Sequence, residues 1–546
     1  MTTATLPAPE RQRTAALLLL GLGAIVFLLY FRVLQGGYPA LWSDTYEYAD
    51  VARSIAAGEG IVTHSATVME IWMLGPGSFP LPYLFHDVGH SLLMALFFRI
   101  FGASETTIGW TSGAFFVLLP CLTFLVGLRV LRSRRVALLA GVLVLINAQL
   151  LSYSTTGLSE LPYAFFLTLV LGMLYEARKA RGLVLAGLAY GALVALRSNA
   201  LPFLPLIALY LWFDVPGAGS AEEGATPSRA AARARLARVL PFLAGLALIL
   251  APNMLRTYRY LGRPIGTVAS AYMPVFYTSA IEGKSKTLFS QPGLDVDPVR
   301  FLLEHPGELW WKVRYQLDDT VSRLVSGGGL KGNWADAIQI FLFLFGALAA
   351  PASETPRQRR FRWLVYALVL MALAAGSLFH LRWRHLYGFL PIVMLYNAEL
   401  VNRLGGPGVA GLRACAGFVV LLLAFGMARV WLVDRSPGDS ERVSHERYHD
   451  ALAKFIARKT PADAVVLVRV DGLGELRALG WYSGRQIVEL SDYTLAKLRD
   501  VRQPLYVMLA SDRPPGMGSA LEAPPGFAQL KRWESDMGNG VLYGRR

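Results

Sequence analysis

The sequence predicts a polytopic α-helical membrane protein with about eleven transmembrane helices, a surface helix in the first outer loop and a small C-terminal α/β domain. Three observations predict it. Of 546 residues, 54% are hydrophobic and only 17% charged, too apolar for an ordinary soluble chain. Apolar runs close to the roughly 20 residues that cross a bilayer recur as far as the stretch after Gly411. Basic residues cluster beside those runs, so the +15 balance reflects arginine and lysine crowded into cytoplasmic loops rather than nucleic-acid binding.

The first span is "TAALLLLGLGAIVFLLYFRVL" from Thr14, too long for a signal-peptide core and followed by no clear small-x-small cleavage site, hence uncleaved. Basic clusters follow at Arg129 to Arg135, Arg178 to Arg181, Arg229 to Arg238 and Arg357 to Arg362, with Arg403 and Arg413 beyond. Counting "YLFHDVGHSLLMALFFRIF" as a span would place the Arg129 cluster outside and invert everything after it. Laying Tyr83 to Phe101 flat on the outer surface as an amphipathic helix restores the pattern. Spans then begin near residues 14, 107, 136, 160, 183, 199, 239, 335, 363, 386 and 411, with the amino terminus inside.

The soluble parts follow from that topology. Two long loops, 35–106 and 256–334, lie outside, and so does the tail from Asp434. The segment "VPGAGSAEEGATPSRAAARARLAR" is a flexible cytoplasmic linker. In the tail, the helical stretch "SHERYHDALAKFIARKT" precedes the strand-like runs "AVVLVRV", "QIVEL" and "PLYVMLA". At about 110 residues the tail is large enough for its own core, so residues 1–433 form the transmembrane domain and 434–546 an extracytoplasmic accessory domain. Cys121 and Cys415 sit in apolar runs and read as packing residues, neither a disulfide framework nor a metal cluster.

Chemistry belongs on the outer face, where the polar residues gather. In "LWSDTYEYADVARSIAAGEG", Tyr48, Val51, Ala52, Ile55 and Ala56 form one helical stripe and Glu47, Asp50 and Arg53 fall off it, the pattern of an interfacial helix. Asp44 with Glu47 three residues on fits a capping box, which leaves Glu47 a cap partner and Asp50 on a solvated face. Asp44 is at once a cap and a candidate general base. At the same depth stand Glu160, Arg197, Asn199, Arg256, Arg259, Arg382, Arg384 and His385. Any one of these arginines can simply snorkel; several facing carboxylates suggest an anionic headgroup held beside a base.

These features, in order, resemble the GT-C glycosyltransferases, in particular the polyprenyl-phosphate-sugar dependent group that includes protein mannosyltransferases and the lipid A aminoarabinose transferase. The resemblance is carried by "SDTYEYADVARSIAAGEG", "PLPYLFHDVGHSLLMALFFRIFG", "GLSELPYAFF", "GALVALRSNALPFLPLIALYL", "APNMLRTYRYLGRPI", "HPGELWWKVRYQ" and the arginine-rich turn before "LYGFLP", from about residue 14 to 402. It implies a GT-C membrane domain with horizontal helices in the first outer loop. The implied activity is an inverting hexosyl or pentosyl transfer, from a polyprenyl-phosphate sugar to a lipid, glycan or protein acceptor at the extracytoplasmic face of the cell membrane. Asp44 would be the base, with Glu160 holding the acceptor or assisting a metal. Arg256 and Arg384, then Arg382, would stabilise the departing phosphate. His86 and His90, four apart, would either contact that phosphate or ligate a divalent metal. The rival classes are a lipid-linked glycan flippase, which calls for charges near the membrane midplane, and a noncatalytic scaffold.

Overall fold

The computed structural model describes residues 9–37, 39, 41, 43–75, 79–214, 229–281, 288–293, 297–325, 338–340, 342–344, 346, 354–378, 383–406, 409–429, 438–469, 473–499, 501–511, 524–535 and 538–545. The chain forms two compact units. One comprises Met1–Ala40, Gly109–Arg256 and Trp310–Val433, the other Leu41–Ile108, Thr257–Leu309 and Asp434–Arg546.

The first unit is helical, because its apolar runs are long and have no water to satisfy backbone groups except through intrahelical bonds. Among the described residues, four helices are long and apolar enough to cross a membrane: Glu10–Val33, Glu105–Leu131, Ala232–Leu261 and Pro356–Leu378. Glu160–Glu176, Ala180–Leu196, Leu204–Phe213, Leu390–Leu404 and Val409–Arg429 lie where further spans were expected. The span expected near residue 335 falls largely outside the described residues, as does the linker up to Ser228. From Arg229 onward the supposed linker is instead helical, and Arg238 is buried against Asp214 at 3.3 Å. An arginine anchored to a buried carboxylate has no reason to stay in a loose loop.

Small residues set a close helix crossing in this unit. A Cβ at Gly187 would lie 2.0 Å from the Phe242 carbonyl oxygen, and one at Gly245 would lie 2.2 Å from that of Val184. Helix Ala180–Leu196 therefore meets helix Arg229–Leu261 backbone to backbone, as small residues permit in an apolar medium.

The second unit is built on a six-stranded sheet in the order Ser65–Ala66, Gln486–Glu489, Val465–Val468, Leu505–Ser511, Gly538–Arg545, Phe527–Ser535. The first four strands pair in parallel and the last two add antiparallel. Val465–Val468 is buried on both faces, which is why it reads as an unbroken apolar run. Alternation sends Val465 and Leu467 toward Ile71 and Leu81 of the first loop. It sends Val466 and Val468 toward Leu452, Ile456, Leu476 and Leu479 of the tail helices Gly438–Lys459 and Leu473–Ser483. The tail thus shares its sheet with Ser65–Ala66 and its core with the first long loop, so the structural division crosses the boundary that composition suggested at residue 433.

The surface helix starts later than its apolar pattern implied. It runs Gly89–Phe101, while Leu81–Pro82 pairs antiparallel with Val62–Thr63. The carbonyls of Leu84 and Phe85 accept from the backbone amides of Val268 and Ala269. Those bonds to a distant segment hold the backbone around His86 out of the helix. Leu92, Leu96 and Ile100 form an exposed stripe along it, 45–63% accessible, as an interfacial helix requires.

Candidate active site

In the helical unit the chemistry-bearing residues gather at the start of helix Glu160–Glu176. Ser159 precedes it, and Glu160 sits in the first turn, where exposed amides favour a carboxylate. Glu160 is 4% exposed. Arg197, just after helix Ala180–Leu196, donates through Nη1 to Glu160 Oε1 at 2.9 Å, and Arg384 Nε stands 3.7 Å from the same oxygen. Glu160 Oε2 is buried and has no hydrogen-bond partner among the described residues.

Arg384 reaches this point because its turn is clamped. The 3₁₀ segment Trp383–Phe389 packs Tyr387 edge-on to Tyr153 at 5.3 Å. A Cβ on Gly388 would fall 2.5 Å from the Tyr163 ring, so only glycine lets the turn lie against helix Glu160–Glu176. Two sequence candidates, Glu160 and Arg384, are thereby brought together. Arg197, singled out in the sequence only as a turn marker, is the closer arginine. Arg256 is on helix Arg229–Leu261, where its Nη2 donates to Asn253 Oδ1 at 3.0 Å. Arg382 lies outside the described residues.

In the second unit, Asp44 stands in the first turn of helix Ser43–Ala57, half-buried. One turn on, Glu47 is 1% exposed. Its Oε1 accepts from the Tyr83 hydroxyl at 2.6 Å and from His86 Nδ1 at 2.9 Å. Its Oε2 is 3.2 Å from Arg477 Nε. Glu47 is therefore no cap partner, because a residue whose two oxygens face Tyr83, His86 and Arg477 has turned away from the helix start. Burial alone would lower the His86 pKa, but the Glu47 carboxylate, its hydrogen bond and the Asp44 charge outweigh it, and the imidazole is raised above its usual value. Glu47 is held low, burial being overcome by His86 and Arg477.

Arg477 is the residue that sequence reasoning missed. Fully buried, it also donates to Glu70 Oε2 at 2.9 Å and Ser65 Oγ at 3.1 Å, with its guanidinium 4.9 Å above the Phe85 ring. One guanidinium serves two buried carboxylates. Burial raises the Glu70 carboxyl, and the nearby Glu47 charge adds to the rise against the pull of Arg477.

Asp50 is not on a solvated face but 0% exposed. It accepts from Arg53 Nη2 at 2.8 Å, the His64 backbone amide at 2.6 Å, Thr63 Oγ1 at 3.2 Å and His64 Nδ1 at 3.0 Å. Arg53 Nη1 in turn donates to the Trp481 carbonyl at 2.6 Å. Helix Ser43–Ala57 is accordingly buried on both sides and is not an interfacial helix: tail helix Leu473–Ser483 covers its polar face, and Gly89–Phe101 packs on it too.

The two histidines do not share a helical face. His86 precedes helix Gly89–Phe101 and directs Nδ1 to Glu47, while His90 is wholly buried with its ring edge-on to Tyr48 at 4.9 Å. Among the described residues, no three His, Cys, Asp or Glu side chains group to hold a metal ion. Among the described residues, His86 and His90 are not set side by side as the ligand pair that their spacing suggested.

No protein-family model and no curated protein matches this sequence. Solved structures do. The archaeal oligosaccharyltransferase AglB from Archaeoglobus fulgidus, in complex with an inhibitory peptide and a dolichol-phosphate, is similar with TM-score 0.52 and 14% identity over 91% of this chain and 69% of that one. A complex of the Archaeoglobus fulgidus oligosaccharyltransferase with Zn and sulfate gives TM-score 0.55 and 14% identity over 90% and 68%. ArnT from Cupriavidus metallidurans, bound to undecaprenyl phosphate, gives TM-score 0.51 and 12% identity over 97% of both chains. The chain shares its fold with these oligosaccharyltransferase and ArnT structures, in keeping with the fold that the resemblance to the GT-C glycosyltransferases implies.

Proposed function

We propose that the protein is an integral-membrane glycosyltransferase that moves a sugar from a polyprenyl-phosphate donor to an acceptor hydroxyl or amine at the extracytoplasmic face. The observation that carries the reading is the buried Glu160 flanked by Arg197 and Arg384 at one end of an apolar helix bundle, in a fold shared with proteins solved with lipid phosphates. Guanidinium groups at a membrane boundary suit a phosphate that gains charge as it departs.

In this reading Asp44 takes the proton of the acceptor O–H or N–H as the heteroatom attacks the anomeric carbon from the face opposite the phosphate. The bond from that carbon to the phosphate oxygen breaks, its electron pair leaves with the polyprenyl phosphate, and configuration inverts. A positioned base of this kind is worth about 10² to 10⁴ in rate. Arg384 and Arg256, with Arg382, steady the leaving phosphate. Glu160 orients Arg197 and Arg384 and offers its second oxygen to the acceptor. His86, whose pKa the Glu47 carboxylate raises, adds a donor toward an anionic headgroup, and His90 supports it from the adjoining helix.

Purified protein incubated with a radiolabelled polyprenyl-phosphate sugar and a membrane-lipid or peptide acceptor tests the proposal. Transfer, or slow hydrolysis of the donor, is expected in the wild type, with a loss of about 10² to 10⁴ in Asp44→Asn. Donor left intact across a panel of sugars would sink the enzyme, and an unimpaired Asp44→Asn would sink the base.

A further inference from the structure

Three basic clusters that are far apart in sequence meet at one cavity of about 640 Å³ in the helical unit. Arg129 and Arg132 come from the end of helix Glu105–Leu131, Arg178 follows helix Glu160–Glu176, and Arg357 opens helix Pro356–Leu378. Glu160 and Glu176 cap opposite ends of one 17-residue helix, so the cavity is about 24 Å from the Glu160 cluster, at a rise of about 1.5 Å per residue. This is the side on which the charge pattern places the cytoplasm.

The charges in the cavity do not balance. Four arginines face one lining carboxylate, Glu176, which pairs with Arg129 at 3.3 Å. Arg357 lies over the Tyr175 ring at 4.8 Å and reaches Asp214 at 3.4 Å. Arg132 and Arg178 make no ion pair with any described residue. Arg132 also has a φ of +55°, the left-handed conformation that glycine usually takes at a helix end. Arg132 and Arg178 therefore add two uncompensated positive charges beside the paired Arg129 and Arg357, an arrangement that favours a bound anion.

The level of the cavity identifies the anion. Helices Glu105–Leu131 and Pro356–Leu378, both long and apolar enough to cross a membrane, end at its rim. Phosphodiesters of membrane lipids are concentrated at that depth, and basic pockets between membrane helices hold them. We propose that this cavity binds the phosphodiester headgroup of an anionic phospholipid, with Arg132 and Arg178 as its principal ligands. The site is independent of the transfer chemistry at the other end of the bundle.

Native mass spectrometry of the full chain in detergent tests it, with dioleoyl phosphatidylglycerol, dioleoyl phosphatidylcholine and inorganic phosphate added separately. Phosphatidylglycerol should be retained in preference to phosphatidylcholine. Its affinity should fall roughly 30-fold in Arg132→Gln/Arg178→Gln, since each arginine near an anionic headgroup contributes roughly fivefold. Where the double variant does not fold, Arg132→Gly, which suits the left-handed backbone, should show the single fivefold loss. Equal retention of phosphatidylglycerol by wild type and variant would overturn the site. Inorganic phosphate binding as tightly as phosphatidylglycerol would overturn the lipid assignment.

Discussion

Arg477 Nε stands 3.2 Å from Glu47 Oε2, so a residue of the C-terminal tail neutralises a carboxylate of the first long loop. Its Nη2 reaches Glu70 at 2.9 Å from the same buried position. Removing one partner of a buried ion pair leaves a desolvated charge, at a cost of about 3–5 kcal/mol. Arg477→Met should therefore lower the thermal stability of the detergent-purified protein sharply, and Glu47→Gln added to it should restore part of the loss. A variant as stable as wild type would show that the triad contributes nothing net.

Asp50 gives the second unit a dependence on acid. Burial would raise its carboxyl, but His64 and then Arg53 outweigh burial and bring it from 3.8 to about 2. A carboxyl lowered in the folded state stabilises fully above its unfolded value and loses that contribution as pH falls through the folded one. The stability gap between wild type and Asp50→Asn should be on the order of 2 kcal/mol from pH 5 upward and should close toward pH 2. Denaturation midpoints measured across that range check the shape, and a gap that does not change with pH would contradict the linkage.

The sequence made the membrane helices legible because apolar length is a local property, and charge bias alone kept Tyr83–Phe101 out of the span count. The strands at Val465, Gln486 and Leu505 were legible for the same reason. The jobs of Glu47 and Asp50 were not. Both sit off the apolar stripe of their helix, and periodicity assigns such residues to water. Glu47 pairs with Arg477, more than four hundred residues on, while Asp50 is taken from water by Arg53, Thr63 and His64 under a cover that includes the distant Trp481 segment, and no helical periodicity reveals either arrangement. Glu160 and Arg384 were found together because topology put both at one membrane boundary. Arg197 at the same boundary was passed over, since a lone arginine in a turn looks like one that snorkels.

His86 titrates in the opposite sense to Asp50. Its pKa is raised, with Glu47 and Asp44 overcoming burial. A raised histidine stabilises fully below its unfolded value and loses that contribution as pH climbs through the folded value. Wild-type stability should thus decline above about pH 6.5, the unperturbed histidine value. His86→Gln, which keeps a donor for Glu47 without a titrating charge, should make that decline shallower, leaving the share that His64, raised by Asp50, contributes in the same sense. Thermal melts between pH 5 and 9 on both proteins decide it, and parallel curves would exclude His86 as the group responsible.

The two arginines on Glu160 should separate in experiment, because their distances assign them different work. Arg197 bonds Glu160 Oε1 at 2.9 Å and also reaches Ser159 Oγ at 3.4 Å, the geometry of a residue that fixes the carboxylate in place. Arg384 stands off at 3.7 Å, close enough to be attracted and too far for a hydrogen bond. Arg384→Lys keeps the charge but gives up the fork that holds phosphate in two bonds. It should lower kcat for sugar transfer by about 10² to 10³, the cost of losing one donor to a developing charge, with the melting temperature unchanged. Arg197→Lys should lower the melting temperature first and activity only in proportion to folded protein. If Arg384→Lys instead melts early and the surviving protein turns over normally, Arg384 is a structural partner of Glu160, and the phosphate role passes to Arg256 or Arg382.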